Sequence, residues 1–392
     1  MRKKVYLDYS ATTPMKKEVL EEMLPFFDVQ FGNPSSIHAF GRDNKAAVAK
    51  ARERIAITMN ASSDEVFFTA GGSESDNWAI KGVAYAMRDK GKHIITSKIE
   101  HHAVLHTCQY LEKEGFEVTY LNVDAYGLID LEELKAAIRP DTTLISIMFA
   151  NNEIGTIEPI KEIGAIAKEK GVTFHTDAVQ AYGNVHIDVK ELGVDLMSIS
   201  AHKVYGPKGI GALYIKKGTR IQQLIHGGAQ EKKRRAGTEN VPGIVGFGKA
   251  AEMAFENLDN HIKQLITKRD RLIKELKEKI TFMHLNGHPE KRLPGNVNLC
   301  IQFIEGEALL LSLDMVGIAS SSGSACTSGS LDPSHVLMAI GLTHEVAHGS
   351  LRLTIGDFTT EEDIDYVIQQ LPPIVDKLRQ MSPLYEKVKG GN

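Results

Sequence analysis

The chain has 392 residues, of which 42% are hydrophobic and 24% charged, a composition typical of a globular protein long enough for two or three domains. The formal net charge of −4 argues against a nucleic-acid or anionic-membrane partner. We expect no membrane span and no signal peptide, because the apolar runs are too short. Three cysteines without CxxC spacing argue against a disulfide framework and a thiolate zinc site, so we expect a reducing, cytoplasmic location.

Strand and helix patterns alternate between residue 60 and about residue 215. The predicted strands cover residues 65–70, 93–97, 117–123, 143–150, 172–178, 195–200 and 211–217. Helical periodicity fills most of the intervals, for example residues 104–113 and 159–170. Repeated units of this kind predict an α/β fold with a largely parallel sheet and helices on both faces. Such sheets bind ligands beyond the carboxyl ends of their strands.

The pattern changes after residue 240. A long, charged amphipathic helix is predicted over residues 262–280, and short strands follow at 296–303 and 350–355. A final helix is predicted at about residues 360–380. This part of the chain predicts a smaller α+β domain that the long helix connects to the rest.

Lys203 is the most specific candidate for chemistry. It lies in SISAHKVYGPKG, after a predicted buried strand and before a turn rich in glycine and proline. A lysine at the carboxyl end of a strand can be partly desolvated, and the resulting lower pKa makes it a nucleophile or a Schiff-base former. Because an isolated loop lysine is usually a solvated side chain, the hypothesis depends on what lies near it.

Two further motifs offer groups that suit pyridoxal phosphate. Asp177, in HTDAVQ, offers a carboxylate to a protonated pyridine nitrogen, although alone it also fits a helix N-cap. In TAGGSESDNW, the glycines before Ser73 and the amide groups of a helix start form a candidate phosphate cradle. Ser73 and Asp76 also fit a capping box, so this signal is weak by itself.

Two more strand ends add polar groups. His101 follows the strand at residues 93–97, where an imidazole could cover a flat cofactor ring or lie on the surface of a helix. Asn151 and Asn152 follow the strand at residues 143–150. Groups suited to different parts of one cofactor at several strand ends together favour a pyridoxal-phosphate site.

HEVAH, at residues 344–348, matches the HExxH pattern of zinc proteases, in which His344 and His348 would bind zinc and Glu345 would act as base. Gly349 and a strand pattern follow at once, so the helix would be very short. The extended pattern also fails, since Thr354 stands where its third histidine would be, although a later glutamate ligand stays open. A zinc hydrolase is therefore a remote alternative.

Nine motifs along nearly the whole chain resemble those of the NifS/IscS-type cysteine desulfurases. They are YLDYSATTP, GNPSSIH, ANNEIGTIEP, HTDAVQ, SAHKVYGPKGIGALY, HGGAQE, RRAGTEN, SSGSACTS and SHVLMAIGL. These enzymes are class V aminotransferases with the fold-type I, aspartate aminotransferase-like architecture. The resemblance implies a homodimer with a large pyridoxal-phosphate-binding domain at residues 14–260. It also implies a small domain formed by residues 1–13 and 261–392, with a mobile catalytic-cysteine loop at about residues 320–332.

The resemblance implies roles for individual residues as well. Lys203 looks like the Schiff-base lysine, Asp177 like the pyridine-nitrogen partner, and Cys326 like the nucleophile. The other implied roles are His101 in ring stacking and proton transfer, Gln180 at the ring hydroxyl, Gly72, Ser73, Ser200 and His202 at the phosphate, Thr238 at the phosphate of the neighbouring subunit, and Asn152 and Arg352 at the substrate. Ser73 stands where threonine is usual in the family, which keeps the hydroxyl.

The implied activity is the pyridoxal-phosphate-dependent conversion of L-cysteine to L-alanine. The sulfur would be captured as a persulfide on Cys326 and passed to an acceptor, such as an iron–sulfur scaffold protein. The small residues of SSSGSACTSGS suit a loop that carries sulfur from a buried site to a partner. Cys108 and Cys300 are expected to be structural. A selenocysteine lyase or an aminotransferase of the same fold stays an alternative, and the acceptor stays open.

Overall fold

The computed structural model describes residues 3–322 and 333–389. Its strands are β1 (Val5–Tyr6), β2 (Val66–Thr69), β3 (His93–Ser97), β4 (Glu117–Leu121), β5 (Thr142–Ser146), β6 (Thr173–Asp177), β7 (Leu196–Ser200), β8 (Gly211–Ile215), β9 (Met283–Leu285), β10 (Asn296–Ile301), β11 (Ile318–Ala319) and β12 (Ser350–Thr354). The predicted strands therefore all exist, with ends that differ by a few residues.

The helices agree with the predicted pattern in the same way. They are α1 (Lys17–Met23), α2 (Pro25–Asp28), α3 (Ala39–Thr58), α4 (Gly72–Met87), α5 (His102–Lys113), α6 (Leu131–Ala137), α7 (Ile160–Lys170), α8 (Val189–Leu192), α9 (Gln230–Lys233), α10 (Val241–Glu256), α11 (Leu258–Lys279), α12 (Gly306–Met315), α13 (His335–Ala339), α14 (His344–His348), α15 (Glu361–Gln380) and α16 (Pro383–Lys389). Among the described residues, no helix is both long and apolar enough to cross a membrane.

The central sheet has seven strands in the order β2-β8-β7-β6-β5-β3-β4. The five strands from β7 to β4 are parallel, which confirms the prediction of a largely parallel sheet. At the other edge, β8 is antiparallel to both β7 and β2. The connection from β7 to β8 is too short for a helical crossover, so the chain must turn back antiparallel. Lys203 lies in that turn.

Helices cover both faces of this sheet, because neighbouring residues on each strand point to opposite sides. Ile94 of β3 belongs to the core packed under α4 and α5, and the next residue, Ile95, belongs to the core packed under α3, α7 and α10. Leu196 and Met197 of β7 divide between the two cores in the same way. The strand sequences are continuous apolar runs because both faces of the sheet are buried.

A separate core combines the first strand with the last third of the chain. Leu7 packs there with Leu272 of α11 and with Val367 and Leu371 of α15. The antiparallel sheet β12-β10-β9 lies beside it, and β1 pairs with β11 in parallel. The domain boundaries, residues 14–260 against residues 1–13 with 261–392, stay a prediction.

Candidate active site

A cavity of about 300 Å³ lies beyond the carboxyl ends of the parallel strands. Its lining residues are Ser10, Ala11, Gly72, Ser73, Asp76, His101, Met148, Ala150, Asn152, Asp177, Val179, Gln180, Ser200, His202, Lys203 and Arg352. The structure thus brings together ten of the twelve residues that the sequence predicted for the site. Thr238 is exposed and does not line the cavity. Cys326 lies outside the described residues.

Lys203 and Asp177 reach the same cavity because their strands are neighbours. Asp177 is the last residue of β6 and pairs with Ser198 of β7, and Lys203 ends the short 3-10 turn that follows β7. The Lys203 ammonium donates to the main-chain carbonyl oxygens of Ser10 and Ala11, the second at 2.8 Å. These main-chain contacts hold the amine at the border of the cavity and orient it.

The Asp177 carboxylate is ionised at neutral pH although it is buried. Burial raises its pKa to about 6, while the Val179 N–H, which donates to Oδ1 at 2.9 Å, and the nearby Lys203 charge limit the rise. Asp177 precedes a turn and not a helix, so the helix N-cap alternative is wrong. Its carboxylate is a buried anion that can bind a protonated ring nitrogen.

Asp76 is a second buried carboxyl group in this cavity, which the sequence analysis interpreted as part of a capping box. That interpretation is wrong: α4 begins at Gly72, its N-cap is Gly71, and Asp76 is only 1% exposed. Burial and the Asp177 charge raise the Asp76 pKa well above its usual range. Its spacing to the buried Ala79, Ile80 and Val83 is the signal that would have placed it on the inner face of α4.

His101 is a neutral imidazole that carries its ring proton on Nε2. It is the N-cap of α5, and its Nδ1 accepts the Ala103 N–H at 3.1 Å, so the ring proton is on Nε2. Burial, with the Lys203 charge, lowers the His101 pKa to about 4. The ring can therefore donate a hydrogen bond from Nε2 at neutral pH.

Two buried groups that the sequence analysis did not select lie next to these residues. His175 of β6 bonds Ser146 Oγ at 2.8 Å and Ser198 Oγ at 2.9 Å, and burial lowers its pKa to about 3. Glu100 precedes His101, and its Oε1 accepts from Ser97 Oγ at 2.7 Å and from the Met148 N–H at 2.9 Å. Burial raises the Glu100 pKa to about 8. Both groups are neutral at pH 7 and hold the strand ends in place.

The start of α4 forms a cradle at one end of the cavity. The N-cap Gly71 has φ +148°, a conformation that favours glycine, and it has no side chain to occupy the first-turn N–H groups. A Cβ on Gly72 would lie 2.7 Å from Val179 Cγ2, so a larger residue there would displace this wall. Ser73 and Ser200 add hydroxyl groups. This arrangement suits a phosphate group.

His202 also lines the cradle and is uncharged. Its Nδ1 lies 3.2 Å from Thr12 Oγ1, and burial, with the charges of Lys203 and Lys208, lowers its pKa to about 4. The Gln180 amide donates to the Ser10 carbonyl at 2.9 Å. Both side chains can offer hydrogen bonds without adding charge.

Arg352 brings a buried cation to the other end of the cavity. It lies on β12, is 3% exposed, and donates to Asp8 Oδ1 at 3.0 Å and to the Asn152 carbonyl at 3.1 Å. Its Nε has no hydrogen-bond partner within the described part of the chain. The guanidinium therefore retains a donor for a carboxylate ligand. Asn151, by contrast, is structural, since its side chain bonds the main chain of Ile99 and of Glu153.

These residues fit pyridoxal phosphate. A cofactor of this kind needs an amine for its aldehyde, an anion for its ring nitrogen and donors for its phosphate. The cavity supplies them as Lys203, the ionised Asp177 and the cradle at the start of α4. Arg352, whose Nε has no hydrogen-bond partner among residues 3–322 and 333–389, adds a buried guanidinium for a substrate carboxylate to the cavity lining.

The alternative zinc site is not formed by HEVAH. This segment is the five-residue helix α14, in which His344, Glu345 and His348 are exposed and the two imidazole centroids are 6.4 Å apart. Within residues 3–322 and 333–389, no group of three or more histidine, cysteine, aspartate or glutamate side chains could hold a metal ion. Nothing in this region supports a zinc hydrolase.

The other two cysteines are buried, as expected for structural residues. Cys108 of α5 and Cys300 of β10 are free thiols with no exposed surface. Burial raises the pKa of Cys300 to about 11, and burial raises that of Cys108 as well. Neither thiol lines the cavity, so neither can replace Cys326 as a nucleophile.

Comparison with known proteins identifies the family of the chain. The aminotransferase class-V family model matches residues 5–367. A protein of Clostridium botulinum (strain Hall) named cysteine desulfurase IscS is 62% identical over 388 residues, which cover 98% of each chain. A solved NifS-like protein is 40% identical with a TM-score of 0.91, covering 96% of this chain and 100% of that one. A structure described as SspA in complex with cysteine is also 40% identical, with a TM-score of 0.81 over 91% of this chain and 100% of that one.

Proposed function

Since this chain belongs to the aminotransferase class-V family, we propose that it is a cysteine desulfurase, which converts L-cysteine to L-alanine and captures the sulfur as a persulfide on Cys326. The observation that carries the proposal is the arrangement of Lys203, Asp177 and Arg352 around one cavity. An amine, a buried anion and a buried guanidinium are what an enzyme acting on an amino acid with pyridoxal phosphate needs.

Pyridoxal phosphate is the cofactor of this family, and when bound it supplies an electron sink that stabilises negative charge at the substrate α-carbon. Lys203 would bind its aldehyde carbon and Asp177 its ring nitrogen. The remaining contacts would be Gln180 with the ring hydroxyl, His101 with the ring face, Gly72, Ser73, Ser200 and His202 with the phosphate, and Thr238 of a second subunit with the same phosphate.

The chain's own residues provide the binding and the proton transfers. Arg352 binds the substrate carboxylate with its guanidinium, which the Asn152 carbonyl holds at 3.1 Å. The Lys203 amine, once released by the substrate, takes the α-proton. The Asp177 carboxylate keeps the ring nitrogen protonated, because its pKa of about 6 leaves it ionised at neutral pH.

Sulfur transfer needs a thiolate at Cys326 and a proton for the substrate β-carbon that loses the sulfur. The Cys326 thiolate attacks that sulfur, an S–S bond forms, and the C–S bond breaks with its electron pair left on carbon, where protonation leads to alanine. An ordinary thiol is only a few per cent ionised at neutral pH. His101, with its proton on Nε2, can take up a proton on the ring only at low pH, and it acts chiefly as a hydrogen-bond donor beside the reacting groups.

Incubation with L-cysteine tests the function. The holoenzyme should form alanine, and mass spectrometry should locate one additional sulfur on Cys326. Lys203→Ala should abolish alanine formation. Cys326→Ala should still bind the cofactor but release no sulfide with dithiothreitol, whereas the matched control Cys108→Ala should release sulfide as the wild type does. Sulfide release by Cys326→Ala at the wild-type rate would contradict the assignment of the nucleophile.

The same assay separates the related activities. A selenocysteine lyase would form alanine from L-selenocysteine and little from L-cysteine. An aminotransferase would form alanine only with loss of an amino group from a second substrate. We expect L-cysteine to be the productive substrate with no added amino acceptor or donor.

The proposal extends to the assembly and the pathway. Large apolar side chains are exposed between residues 20 and 40, and a second copy of the chain would cover them in a homodimer. The exposed Thr238 is then available to the site of the other subunit. We propose a cytoplasmic location for the enzyme. We also propose that it passes its sulfur to an acceptor protein, for iron–sulfur cluster assembly or other sulfur transfer.

A further inference from the structure

Tyr205 has an unusual backbone conformation two residues after Lys203. Its φ is +62°, in the left-handed region that aromatic residues rarely adopt. Such a conformation persists only where neighbouring groups hold it. The Tyr205 N–H donates to Thr13 Oγ1 at 2.9 Å, and the Tyr205 carbonyl accepts the Lys16 N–H at 3.1 Å. The segment before α1 therefore fixes the Tyr205 backbone.

The segment after β12 holds the Tyr205 side chain. The Asp357 N–H donates to the Tyr205 hydroxyl at 2.7 Å, and the Phe358 ring lies 5.8 Å from the tyrosine ring, centroid to centroid. A Cβ on Gly356 would lie 2.6 Å from the same hydroxyl, so the two segments are in close contact. Burial and the Asp357 charge raise the Tyr205 pKa, and its hydroxyl stays protonated.

An ion pair and a histidine–carboxylate contact join these two segments and α11. Asp357 Oδ2 lies 2.5 Å from Lys16 Nζ, and Asp357 Oδ1 lies 3.0 Å from His261 Nδ1 of α11. The Lys16 ammonium also lies 4.8 Å from the centroid of the Tyr205 ring. The side chains of Lys16, Asp357 and His261 are 20–22% exposed, so solvent screens the interactions of Asp357 less than those of a surface pair.

These contacts are adjacent in the chain to both functional groups but do not belong to the cofactor cavity. Lys203 lies two residues before Tyr205, and Arg352, in β12, lies five residues before Asp357. Lys16, Tyr205 and Asp357 line instead a second cavity, of about 340 Å³, that also borders Lys203. None of the three lines the cofactor cavity, so they can affect the reaction only through the residues that do.

We propose that Lys16, Tyr205 and Asp357 form an interdomain latch whose members are positioning residues, because the latch sets the place of Arg352 relative to the Lys203 turn. The inference rests on the proposed function, in which Lys203 takes the α-proton while Arg352 binds the carboxylate of the same substrate molecule. A shift of about 1 Å between such groups is enough to slow a reaction by about a hundredfold. Ion pairs between segments that are far apart in sequence are a direct way to prevent that shift.

Charge reversal tests the latch in the holoenzyme. Lys16→Glu and Asp357→Lys should each place like charges together, lower kcat/KM for L-cysteine about tenfold, and raise KM because Arg352 is displaced. Combining the two substitutions restores opposite charges and should recover most of the lost activity. The matched control is Lys161→Glu, which reverses a charge in the exposed Lys161–Glu191 pair and should leave kcat/KM unchanged.

Hydrogen exchange provides a readout that does not depend on turnover. In each single variant, the amides of residues 204–206 and 356–358 should exchange faster than in the wild type, and in the double variant they should return to the wild-type rate. Tyr205→Phe, which keeps the ring and removes the hydroxyl, should speed exchange at residue 357 alone. If reversal at residue 16 destabilises the fold, Lys16→Met serves as the single variant in both measurements, because it removes the charge without placing two like charges together.

The outcomes distinguish the latch from the proposed function. The latch would be overturned if the single variants had the kinetics and exchange rates of the wild type. It would also be overturned if the double variant recovered neither kcat/KM nor the wild-type exchange rates. A wild-type enzyme that forms no alanine would overturn the proposed function, while the exchange measurements would still decide whether the latch exists.

Discussion

At the scale of single residues, burial decides which groups in the site are charged. Asp76 and Asp177 are both aspartates in one cavity, yet only Asp177 has a main-chain N–H donor and a lysine close enough to keep it ionised. Asp76 faces the Asp177 charge, which together with burial raises its pKa well above the usual range. Asp177 is therefore the better suited of the two to act as the anion for a protonated ring nitrogen.

Glu100 gives a prediction about stability and pH. Its pKa is raised by burial to about 8 in the folded protein, so the folded state holds a proton that the unfolded state loses at lower pH. This group's contribution to the free energy of unfolding is complete below its unfolded pKa and decreases as pH rises toward 8. In Glu100→Gln the side chain at this position does not ionise, so it makes no pH-dependent contribution to the free energy of unfolding. The stability of the variant relative to wild type should therefore rise between pH 5.5 and pH 8, by at most about 1.4 kcal/mol per pH unit.

Urea unfolding at several pH values measures this difference. Glu162→Gln is the control, because Glu162 is exposed on α7 and its replacement should give a difference that does not vary with pH. A difference for Glu100→Gln that is equally flat would show that Glu100 is ionised throughout this range.

At the scale of elements, α4 has two functions that its sequence combines. Its first turn offers N–H groups and the Ser73 hydroxyl to the cavity, and its inner face buries Asp76, Ala79, Ile80 and Val83. The helix begins at a glycine without a side-chain cap, so the N–H groups are not occupied by the chain's own cap. Packing against the sheet, rather than capping, keeps this end of the helix in place.

Ser73 gives a prediction about cofactor binding. Ser73→Ala removes a hydroxyl at the phosphate cradle and should weaken the binding of pyridoxal phosphate by about tenfold, because a hydrogen bond to a charged group is lost. Ser73→Thr keeps the hydroxyl and should bind the cofactor as the wild type does. Titration of the apoenzyme, followed by cofactor absorbance, measures both. Equal affinities for Ser73→Ala and wild type would contradict the assignment of the cradle.

At the scale of the whole molecule, exposed aromatic side chains predict that the protein forms a homodimer. Phe27, Phe31 and Phe40 are 63%, 67% and 56% exposed, and they come from the same N-terminal region of the chain. Such a concentration of exposed aromatic rings is unusual on a monomer and typical of an interface. The proposed homodimer would bury them.

Light scattering tests this assembly. The wild type should have twice the monomer mass, and Phe31→Asp should shift the equilibrium to monomer, because it would place a charge in an apolar interface. Leu311→Asp is the control, since Leu311 is similarly exposed, at 61%, but lies on α12, far along the chain. A dimer that is unaffected by Phe31→Asp would place the interface elsewhere.

Much of the site could be predicted from the sequence. The carboxyl ends of parallel strands lie at one edge of a sheet, so residues that end neighbouring strands meet even when they are distant in the chain. This rule predicts that Lys203, Asp177 and His101 lie close together, and all three line one cavity. The prediction was possible because their strands have clear apolar patterns. The family motifs added Gln180 and Arg352, whose local patterns carry no comparable signal.

The sequence by itself determined the α/β fold, the strand-end chemistry and the family, because local periodicity and short motifs encode them. Only the tertiary structure decided that Asp76 is buried, that Asp8 pairs with Arg352 across 344 residues of chain, and that Asp357 contacts Lys16 and Tyr205. Burial and long-range pairing depend on how the cores of the protein pack together. No local pattern contains that information, and the charges of the site follow from it.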